Sequence, residues 1–292
     1  MIFITGADGQ LGSHLQNHLK KQNLEFIPLN RKQLDISKKA DVKKFFQDKK
    51  LSLLINAAAY TNVDQAEVCS EDAYRVNELG VSNLAEICNL KNIPIIHIST
   101  DYVFDGFSDS PYKPDDLTNP ICIYGKSKLA GERALIANTE KFLLIRTSWV
   151  FSEFGKNFFQ TILRLAKTSE TVKVVSDQYG NPTYAGDLAR VIVHSIPRIL
   201  NDSKFFGTYH YGGDEVCSWY DFANEICEIA SSKKVISKIP EIIPISSDEF
   251  ISKAKRPVYS VLDSSKFCST FNLDKSNWRL AIKNILDISN TR

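Results

Sequence analysis

The sequence predicts an α/β protein built on a doubly wound parallel sheet, with a smaller C-terminal α/β lobe. Short, β-branched apolar runs alternate with helical stretches as far as residue 205, which is typical of a parallel sheet covered by helices. A glycine-rich turn follows the first run, and from residue 207 the pattern changes to short strands, an amphipathic helix and an extended basic segment. We expect residues 1–150 to form a dinucleotide-binding domain to which residues 170–205 return. Residues 151–169 and 206–292 then form a substrate-binding lobe.

Composition points to a small-molecule ligand. The chain has 292 residues, 43% of them hydrophobic, and its 36 basic and 34 acidic side chains give a formal charge of +2. This balance creates no bulk field that would attract nucleic acid or a membrane surface. No stretch approaches the roughly 20 apolar residues that cross a bilayer, and no leader-like segment precedes the first strand. We expect a cytoplasmic protein, monomeric or homodimeric.

Cysteine and histidine spacing predicts no metal site. The six cysteines include no Cys-x-x-Cys pair, so we expect reduced, structural thiols and neither a zinc site nor a disulfide framework. His14 and His18 stand four apart on a predicted helix, but no Glu follows His14 as it does in zinc proteases. We interpret both as ordinary helix residues.

The first strand, residues 1–5, runs into Gly6-Ala-Asp-Gly9-Gln-Leu-Gly12 and a helix over 13–21. Glycines at this junction let the backbone approach a pyrophosphate, whose charge the helix N-terminus stabilises. The spacing departs from Gly-x-Gly-x-x-Gly, and a purely structural turn is the alternative, but the position is that of a Rossmann-type fingerprint. The predicted cofactor residues here are Gly6, Asp8, Gly9, Gln10, Leu11 and Gly12.

The second strand, residues 25–29, ends at Asn30 and Arg31, where an acidic residue would bind a ribose 2′-hydroxyl. Arg31 suits a 2′-phosphate instead, which favours NADPH and leaves NADH as the alternative; a solvated arginine is the simpler interpretation. Asp35, followed by Ile36, either reaches the adenine or caps a helix over 37–47.

The third strand, residues 51–55, is followed by small residues that leave room for a cofactor against the backbone. The predicted contacts are Ala57, Ala58, Ala59 and Tyr60. Asn77, on a predicted helix over 70–90, is either a turn-stabilising amide or a buried polar group.

The fourth strand, residues 93–99, brings Ser99 and Thr100 to the carboxyl edge of the sheet, where ligands bind in open α/β folds. Tyr124 and Lys128 stand four apart, so a helix places both on one face. We expect the lysine charge to lower the pKa of Tyr124 towards the working range, so that the phenol exchanges a proton with an alcohol or ketone. Thr100 can hydrogen-bond the same oxygen. A surface Tyr and Lys on an ordinary helix is the alternative.

Later segments add candidates for substrate binding. A strand over 142–151 ends near Trp149, whose ring either stacks on a sugar or fills the core. A helix over 157–167, a strand over 172–176 and a helix over 186–200 continue the alternation, and the polar loop 177–183 lies at the same sheet edge. In the extended segment 255–263, Lys255 and Arg256 either bind a diphosphate or form a solvated basic loop.

In this order the motifs resemble the extended short-chain dehydrogenase/reductases and, more narrowly, the dTDP-4-dehydrorhamnose reductase family. The resemblance runs from residue 1 to about residue 280. Its most specific parts are Ser99-Thr-Asp-Tyr-Val-Phe and Asp177-Gln-x-Gly-x-Pro-Thr183. Further support comes from Ala-Tyr-Thr-Asn-Val-Asp64, Tyr124-Gly-Lys-Ser-Lys, Arg146-Thr-Ser-Trp149 and Arg256-Pro257.

The resemblance implies hydride transfer from NADPH to the C4 ketone of dTDP-4-dehydro-L-rhamnose, with the proton coming from Tyr124. It assigns Thr100, Tyr124 and Lys128 to a catalytic triad, with Lys128 also holding the nicotinamide ribose, and it places Trp149 at the position that stacks on the sugar. The remaining substrate positions are Thr61, Val63, Asp64, Asp101, Tyr102, Asn181 and Arg256.

One position departs from the pattern of the family. Some members use a first-helix Glu in a magnesium site at their dimer interface, whereas this chain has His14 there, so we expect no such site. Two alternatives stay open. One is a reductase of another nucleotide-linked 4-keto-6-deoxy sugar, and the other is a non-catalytic regulatory subunit of the same fold.

Overall fold

The computed structural model describes residues 1–290, and in its first half strands and helices alternate as the sequence predicts. The elements are β1 (Ile2–Thr5), α1 (Gln10–Lys21), β2 (Phe26–Leu29), α2 (Lys39–Phe46), β3 (Leu53–Asn56), α3 (Val63–Ala66), α4 (Ser70–Tyr74), α5 (Gly80–Leu90), β4 (Ile95–Thr100), α6 (Ile123–Asn138) and β5 (Phe142–Thr147). A π-helical turn, Arg75–Leu79, joins α4 to α5, and a 3-10 turn, Asp101–Val103, follows β4.

The second half contains shorter strands and four more long helices. The elements are β6 (Val150–Phe151), α7 (Phe158–Thr168), β7 (Thr171–Val175), β8 (Tyr179–Gly180), β9 (Thr183–Tyr184), α8 (Ala185–Asn201), β10 (Gly207–His210), β11 (Cys217–Ser218), α9 (Trp219–Ser232), β12 (Glu241–Ile245), α10 (Ser265–Phe271) and α11 (Trp278–Asn290). A 3-10 turn, Ser203–Phe205, lies between α8 and β10. Within residues 1–290 no helix has the length and apolar character needed to cross a membrane.

Six parallel strands form the central sheet in the order β10-β5-β4-β3-β1-β2. The chain moves outward from β1 in both directions, to β2 on one side and to β3 on the other. This reversal opens a crevice at the carboxyl ends of the strands, which is where such sheets bind ligands. The prediction of a doubly wound parallel sheet is therefore confirmed.

Helices cover both faces of this sheet. On one face α1, α8 and α10 bury an apolar cluster that includes Leu15, Ile192 and Phe267. On the other face α2 and α5 enclose a second cluster around Phe46 and Leu84. Burial of these side chains supplies the main driving force for folding.

The structure differs from the prediction for two strands. We expected the strand near 172–176 to return to the central sheet, but β7 pairs in parallel with β12, and its Val172 and Val174 pack in the cluster that contains Phe222 and Trp278. Conversely, β10 was expected in the C-terminal lobe but extends the central sheet beside β5. A short apolar run is compatible with any buried sheet position, so its pattern does not specify a partner.

Candidate active site

A cavity of about 760 Å³ lies at the carboxyl ends of the central strands and is bordered by most of the predicted site residues. These are Gly6, Asp8, Gly9, Gln10, Leu11, Gly12, Asn30, Arg31, Asp35, Ile36, Ala57, Ala58, Ala59, Tyr60, Thr61, Val63, Ser99, Thr100, Asp101, Tyr102, Tyr124, Lys128, Trp149 and Arg256. Asp64 and Asn181 were also predicted but do not border it.

The glycine turn between β1 and α1 is closely packed and borders the cavity. Gly6 has a φ of 71°, and a Cβ there would lie 2.5 Å from the backbone nitrogen of Ala58. A Cβ at Gly12 would likewise lie 2.7 Å from Ala7 Cα, so the turn and the helix can pack this closely only with glycine. No side chain caps α1 at Gly9, which leaves the first-turn N–H groups open to an anion. This arrangement fits the pyrophosphate of a dinucleotide.

A second depression of about 980 Å³ adjoins the Arg31 end of this cavity, and its border includes Lys32, Lys38, Lys44 and Lys49. Arg31 itself is 75% exposed, with its Nε 3.9 Å from Asp35 Oδ2. The Asp35 carboxylate accepts hydrogen bonds from the backbone N–H and the hydroxyl of Ser37. Asp35 therefore stabilises the turn before α2 and does not cap the helix itself, which begins at Lys39.

Asn77 connects the cofactor side of the cavity to the helix that carries Tyr124. Its buried amide accepts a hydrogen bond from the Tyr60 backbone N–H at 2.8 Å and donates to the Tyr60 carbonyl at 3.1 Å. The same Nδ2 donates to Ser127 Oγ on α6 at 2.9 Å. Both interpretations left open by the sequence are observed, because the buried Asn77 amide also holds the 57–61 loop against α6.

Thr100 lies at the end of β4, facing Tyr124 and Lys128 from α6. Lys128 is 2% exposed, and its Nζ donates to the Ile98 carbonyl at 2.6 Å. Burial lowers the pKa of Lys128 to about 8, against the opposing effect of the Glu132 carboxylate. Desolvation raises the pKa of Tyr124 above its ordinary value, while a hydrogen bond with the Thr100 side chain partly opposes that shift. The predicted lowering was therefore wrong, because burial of the phenol dominates its pKa.

A buried ion pair anchors α6 to the sheet. Glu132, one turn after Lys128, accepts two hydrogen bonds from Arg146 on β5, at 3.0 and 2.8 Å. The two side chains are only 2% and 7% exposed. Arg146 also donates to the Pro114 carbonyl and lies over the Phe104 ring. These contacts fix the guanidinium group, and its two hydrogen bonds to Glu132 therefore hold α6 in one position.

Several buried polar atoms near Thr100 have no hydrogen-bond partner among the described residues. The Thr100 hydroxyl lies 3.0 Å from Asp101 Oδ1 and accepts a hydrogen bond from the Tyr102 N–H at 3.2 Å. Asp101 Oδ2, Ser99 Oγ and Thr147 Oγ1 are buried without a hydrogen-bond partner among the described residues. Such atoms at the end of a crevice are suited to a polar ligand.

Trp149 has an unusual backbone and an aromatic partner that the sequence did not reveal. Its φ of 46° lies in the left-handed region, which bulky residues rarely adopt. Its indole stacks on Trp219, with ring centroids 3.4 Å apart and planes within 6°. Gly180 borders the same ring, because a Cβ there would lie 2.6 Å from the indole nitrogen. One ring face is thus covered by Trp219, while the side chain still borders the cavity.

Asp64 and Arg256 join two segments that close one side of the cavity. Arg256 Nη2 donates to Asp64 Oδ2 at 2.9 Å, and Ser252 Oγ donates to Asp64 Oδ1 at 2.7 Å. Arg256 Nη1 lies 3.5 Å from the Tyr102 hydroxyl, so it reaches the site directly. Asn181 instead holds the extended segment 255–263, because its side-chain oxygen accepts a hydrogen bond from the Leu262 N–H at 2.8 Å.

Sequence reasoning missed the segment that closes the cavity over the glycine turn. Gly155, Lys156, Asn157 and Phe158 all border the cavity, and Asn157 Nδ2 donates to Gln10 Oε1 at 2.8 Å. The Gln10 and Asn157 positions are 147 residues apart in the chain. No local pattern indicates such a contact.

The first-helix histidine is enclosed by protein. His14 is buried, with Nε2 3.3 Å from Glu153 Oε2, and its ring meets Phe154 and Tyr184 edge to face. Among the described residues no three His, Cys, Asp or Glu side chains are grouped as metal ligands.

A dinucleotide turn and a Thr-Tyr-Lys group in one crevice are the features of a Rossmann-type oxidoreductase of the short-chain dehydrogenase/reductase class. Comparisons with known proteins narrow this class. The family model described as "RmlD substrate binding domain" matches residues 1–291. The chain belongs to the dTDP-4-dehydrorhamnose reductase family.

Individual relatives are similar over almost the whole chain. The dTDP-4-dehydrorhamnose reductase of Aggregatibacter actinomycetemcomitans is 43% identical over 286 residues, which covers 97% of each chain. The crystal structure of the Clostridium acetobutylicum dTDP-4-dehydrorhamnose reductase has a TM-score of 0.91 and 40% identity over 99% of both chains. The Bacillus anthracis enzyme, solved in complex with NADP, has a TM-score of 0.88 and 35% identity over 97% of both chains.

Proposed function

We propose that this protein reduces the C4 ketone of dTDP-4-dehydro-L-rhamnose to the alcohol of dTDP-L-rhamnose, and that Thr100, Tyr124 and Lys128 perform the chemistry. Bound NADPH supplies the hydride that adds to the ketone carbon. The observation that carries the proposal is the shared cavity, which joins the glycine turn to these three side chains. The names of the relatives, and the NADP complex of the one from Bacillus anthracis, support the same substrate and cofactor.

Tyr124 gives the proton that the reduced oxygen needs. Desolvation raises the pKa of its phenol, so the side chain stays protonated at neutral pH, as a proton donor must. Thr100 hydrogen-bonds the same oxygen and holds it near the phenol, which stabilises the charge that develops there. Lys128 holds the nicotinamide ribose, and the Ile98 carbonyl fixes the position of its ammonium group.

The two ends of the cavity bind the two ligands. The residues of the glycine turn, with Arg31 and the 57–60 loop, hold the cofactor. Val63, Tyr102, Trp149 and Arg256 border the part that receives the nucleotide sugar, where the Arg256 guanidinium suits a diphosphate. The proposal includes a cytoplasmic location and a monomeric or homodimeric state, and light scattering of the purified chain measures the latter.

An assay of NADPH oxidation tests the function. The substrate, dTDP-4-dehydro-L-rhamnose, is made in situ from dTDP-glucose by a dehydratase and an epimerase, and loss of the absorbance of reduced nicotinamide is followed. We expect rapid turnover with dTDP-L-rhamnose as the product, identified by NMR. Turnover only with another nucleotide-linked 4-keto sugar would reassign the substrate. Tight NADPH binding without turnover on any sugar of the panel would favour the non-catalytic subunit.

A further inference from the structure

Asp101 is a buried carboxyl group whose surroundings raise its pKa above the ordinary value of an aspartate. It is 2% exposed, and its Oδ2 has no hydrogen-bond partner among residues 1–290. The Ser260 hydroxyl lies near the carboxyl group and lowers its pKa in part, against the larger effect of burial. A buried carboxylate with an unsatisfied oxygen carries a large desolvation penalty, which protonation removes.

The side chains around Asp101 do not offset this penalty with a free positive charge. The facing groups are the Tyr124 phenol, the Cys122 thiol and the Tyr102 phenol, each of which has a pKa raised by burial and is neutral at neutral pH. Arg256 reaches the Tyr102 hydroxyl but is already paired with the carboxylate of the 60–64 loop. Burial accordingly raises the pKa of Asp101 to about 6, although its hydrogen-bonding neighbours lower it in part.

The hydrogen-bonding capacity of Thr100 connects this protonation state to the reaction. A threonine hydroxyl has one proton to donate and two lone pairs to accept with. The Tyr102 N–H occupies one lone pair at 3.2 Å, and Asp101 Oδ1 lies 3.0 Å away. The Tyr124 phenol also hydrogen-bonds Thr100, but in the proposed reaction it turns to the ketone oxygen and leaves the second lone pair of Thr100 free. A charged Asp101 can only accept the hydroxyl proton, which leaves Thr100 none for a ketone oxygen. A neutral Asp101 can donate to the second lone pair, and the hydroxyl proton then becomes available.

We propose that Asp101 is a positioning residue that works as the neutral acid, donating its carboxyl proton to Thr100 Oγ1 and so directing the Thr100 hydroxyl proton to the substrate ketone. The inference rests on the proposed ketone reduction. Asp101 takes its proton from solvent before the substrate binds and keeps it through turnover. The net reaction still consumes one hydride and one proton per ketone.

The variant Asp101→Asn tests this role through the pH profile of kcat. The asparagine amide donates to Thr100 as the neutral acid does, and it cannot ionise. The wild-type kcat should fall by up to tenfold per pH unit as pH rises above about 6. The kcat of the Asp101→Asn variant should not show this fall. Its kcat relative to that of wild type should therefore increase by up to tenfold per pH unit above about 6. A requirement for the carboxylate predicts the reverse, with Asp101→Asn slow at every pH.

Two further variants separate positioning from folding. Asp109→Asn removes a carboxylate from an exposed position of the loop that follows, and its pH profile should match that of wild type. In a Thr100→Val background, Asp101→Asn should change the profile no further, because the group through which it acts is gone. Additive effects of the two substitutions would contradict the inference.

Difference infrared spectroscopy gives a readout without turnover. The wild-type protein with NADPH bound should show the C=O stretch of a protonated carboxyl group at pH 5 that disappears by pH 8, and Asp101→Asn should lack this band. If this titration is present but no nucleotide sugar is reduced, the proposed function fails and the ionisation behaviour stands. If sugars are reduced but Asp101→Asn leaves the titration and the pH profile unchanged, the inference alone is wrong.

Discussion

Glu132 and Arg146 form a buried, bidentate ion pair that fixes the helix carrying Tyr124 and Lys128 to the central sheet. We expect Glu132→Ala to lower the free energy of unfolding by about 3–5 kcal/mol, because it leaves the guanidinium buried without a counter-charge. Urea denaturation at pH 7 measures the loss. The matched control is Glu86→Ala, which breaks a pair with Lys39 whose side chains are 26% and 54% exposed, and it should cost less than about 1 kcal/mol. Equal losses would show that burial does not set the strength of the first pair.

Lys128 should make stability depend on pH in an unusual direction. Burial lowers its pKa from 10.5 to about 8 in the folded state, so between these values the unfolded chain binds a proton that the folded chain does not. The resulting destabilisation is complete below pH 8 and disappears as pH rises to 10.5. Lys128→Met removes this term. We therefore expect the unfolding free energy of wild type to rise relative to that of Lys128→Met over this window, by at most about 1.4 kcal/mol per pH unit. A constant difference between the two proteins would show that the ammonium is not destabilised by burial.

Arg31 should contribute to the choice of cofactor. Replacing it with Ala removes a cation from the end of the cavity where the 2′-phosphate of NADPH is expected, so KM for NADPH should rise roughly tenfold, equivalent to one charge-assisted hydrogen bond. KM for NADH should change much less. Arg133, an exposed arginine on α6 outside the cavity, provides the control as Arg133→Ala. Equal effects of Arg31→Ala on the KM values of both cofactors would show that Arg31 does not recognise the 2′-phosphate.

The Trp149–Trp219 stack should act on sugar binding. Trp219→Ala removes the ring that covers Trp149, whose left-handed backbone conformation depends on surrounding contacts. We expect KM for the nucleotide sugar to rise about tenfold, while KM for NADPH stays within twofold, as estimated from the value of an aromatic pair. Trp219→Phe keeps a flat ring and should lose less. Parallel losses for both ligands would instead indicate a general disturbance of the cavity.

Local spacing was sufficient to predict the glycine turn and the Tyr124–Lys128 pair. Both depend on residues within one turn of a helix or at one strand end, where backbone geometry dictates the side-chain directions. The sheet itself followed from the alternation of apolar runs and helices. Positions could be predicted in this way, but ionisation could not: the raised pKa of Tyr124 results from burial by residues that are distant in sequence.

The remaining parts of the site depend on contacts that no local pattern records. Asp64 and Arg256 are 192 residues apart, and Trp149 finds its partner in a helix of the C-terminal lobe. The pairing of β7 with β12 is of the same kind, because a short apolar strand can join either sheet. Such contacts are selected by tertiary packing of the whole chain.

Replacing Tyr124 with Phe tests the central claim most directly. The substitution keeps the ring and removes the phenolic proton, so turnover of dTDP-4-dehydro-L-rhamnose should fall by at least about 100-fold. The affinity for NADPH, measured by nicotinamide fluorescence, should stay within a few-fold of wild type, because the glycine turn is unchanged. A Tyr124→Phe enzyme that binds NADPH normally and keeps near wild-type turnover would contradict the assignment of Tyr124 as the proton donor.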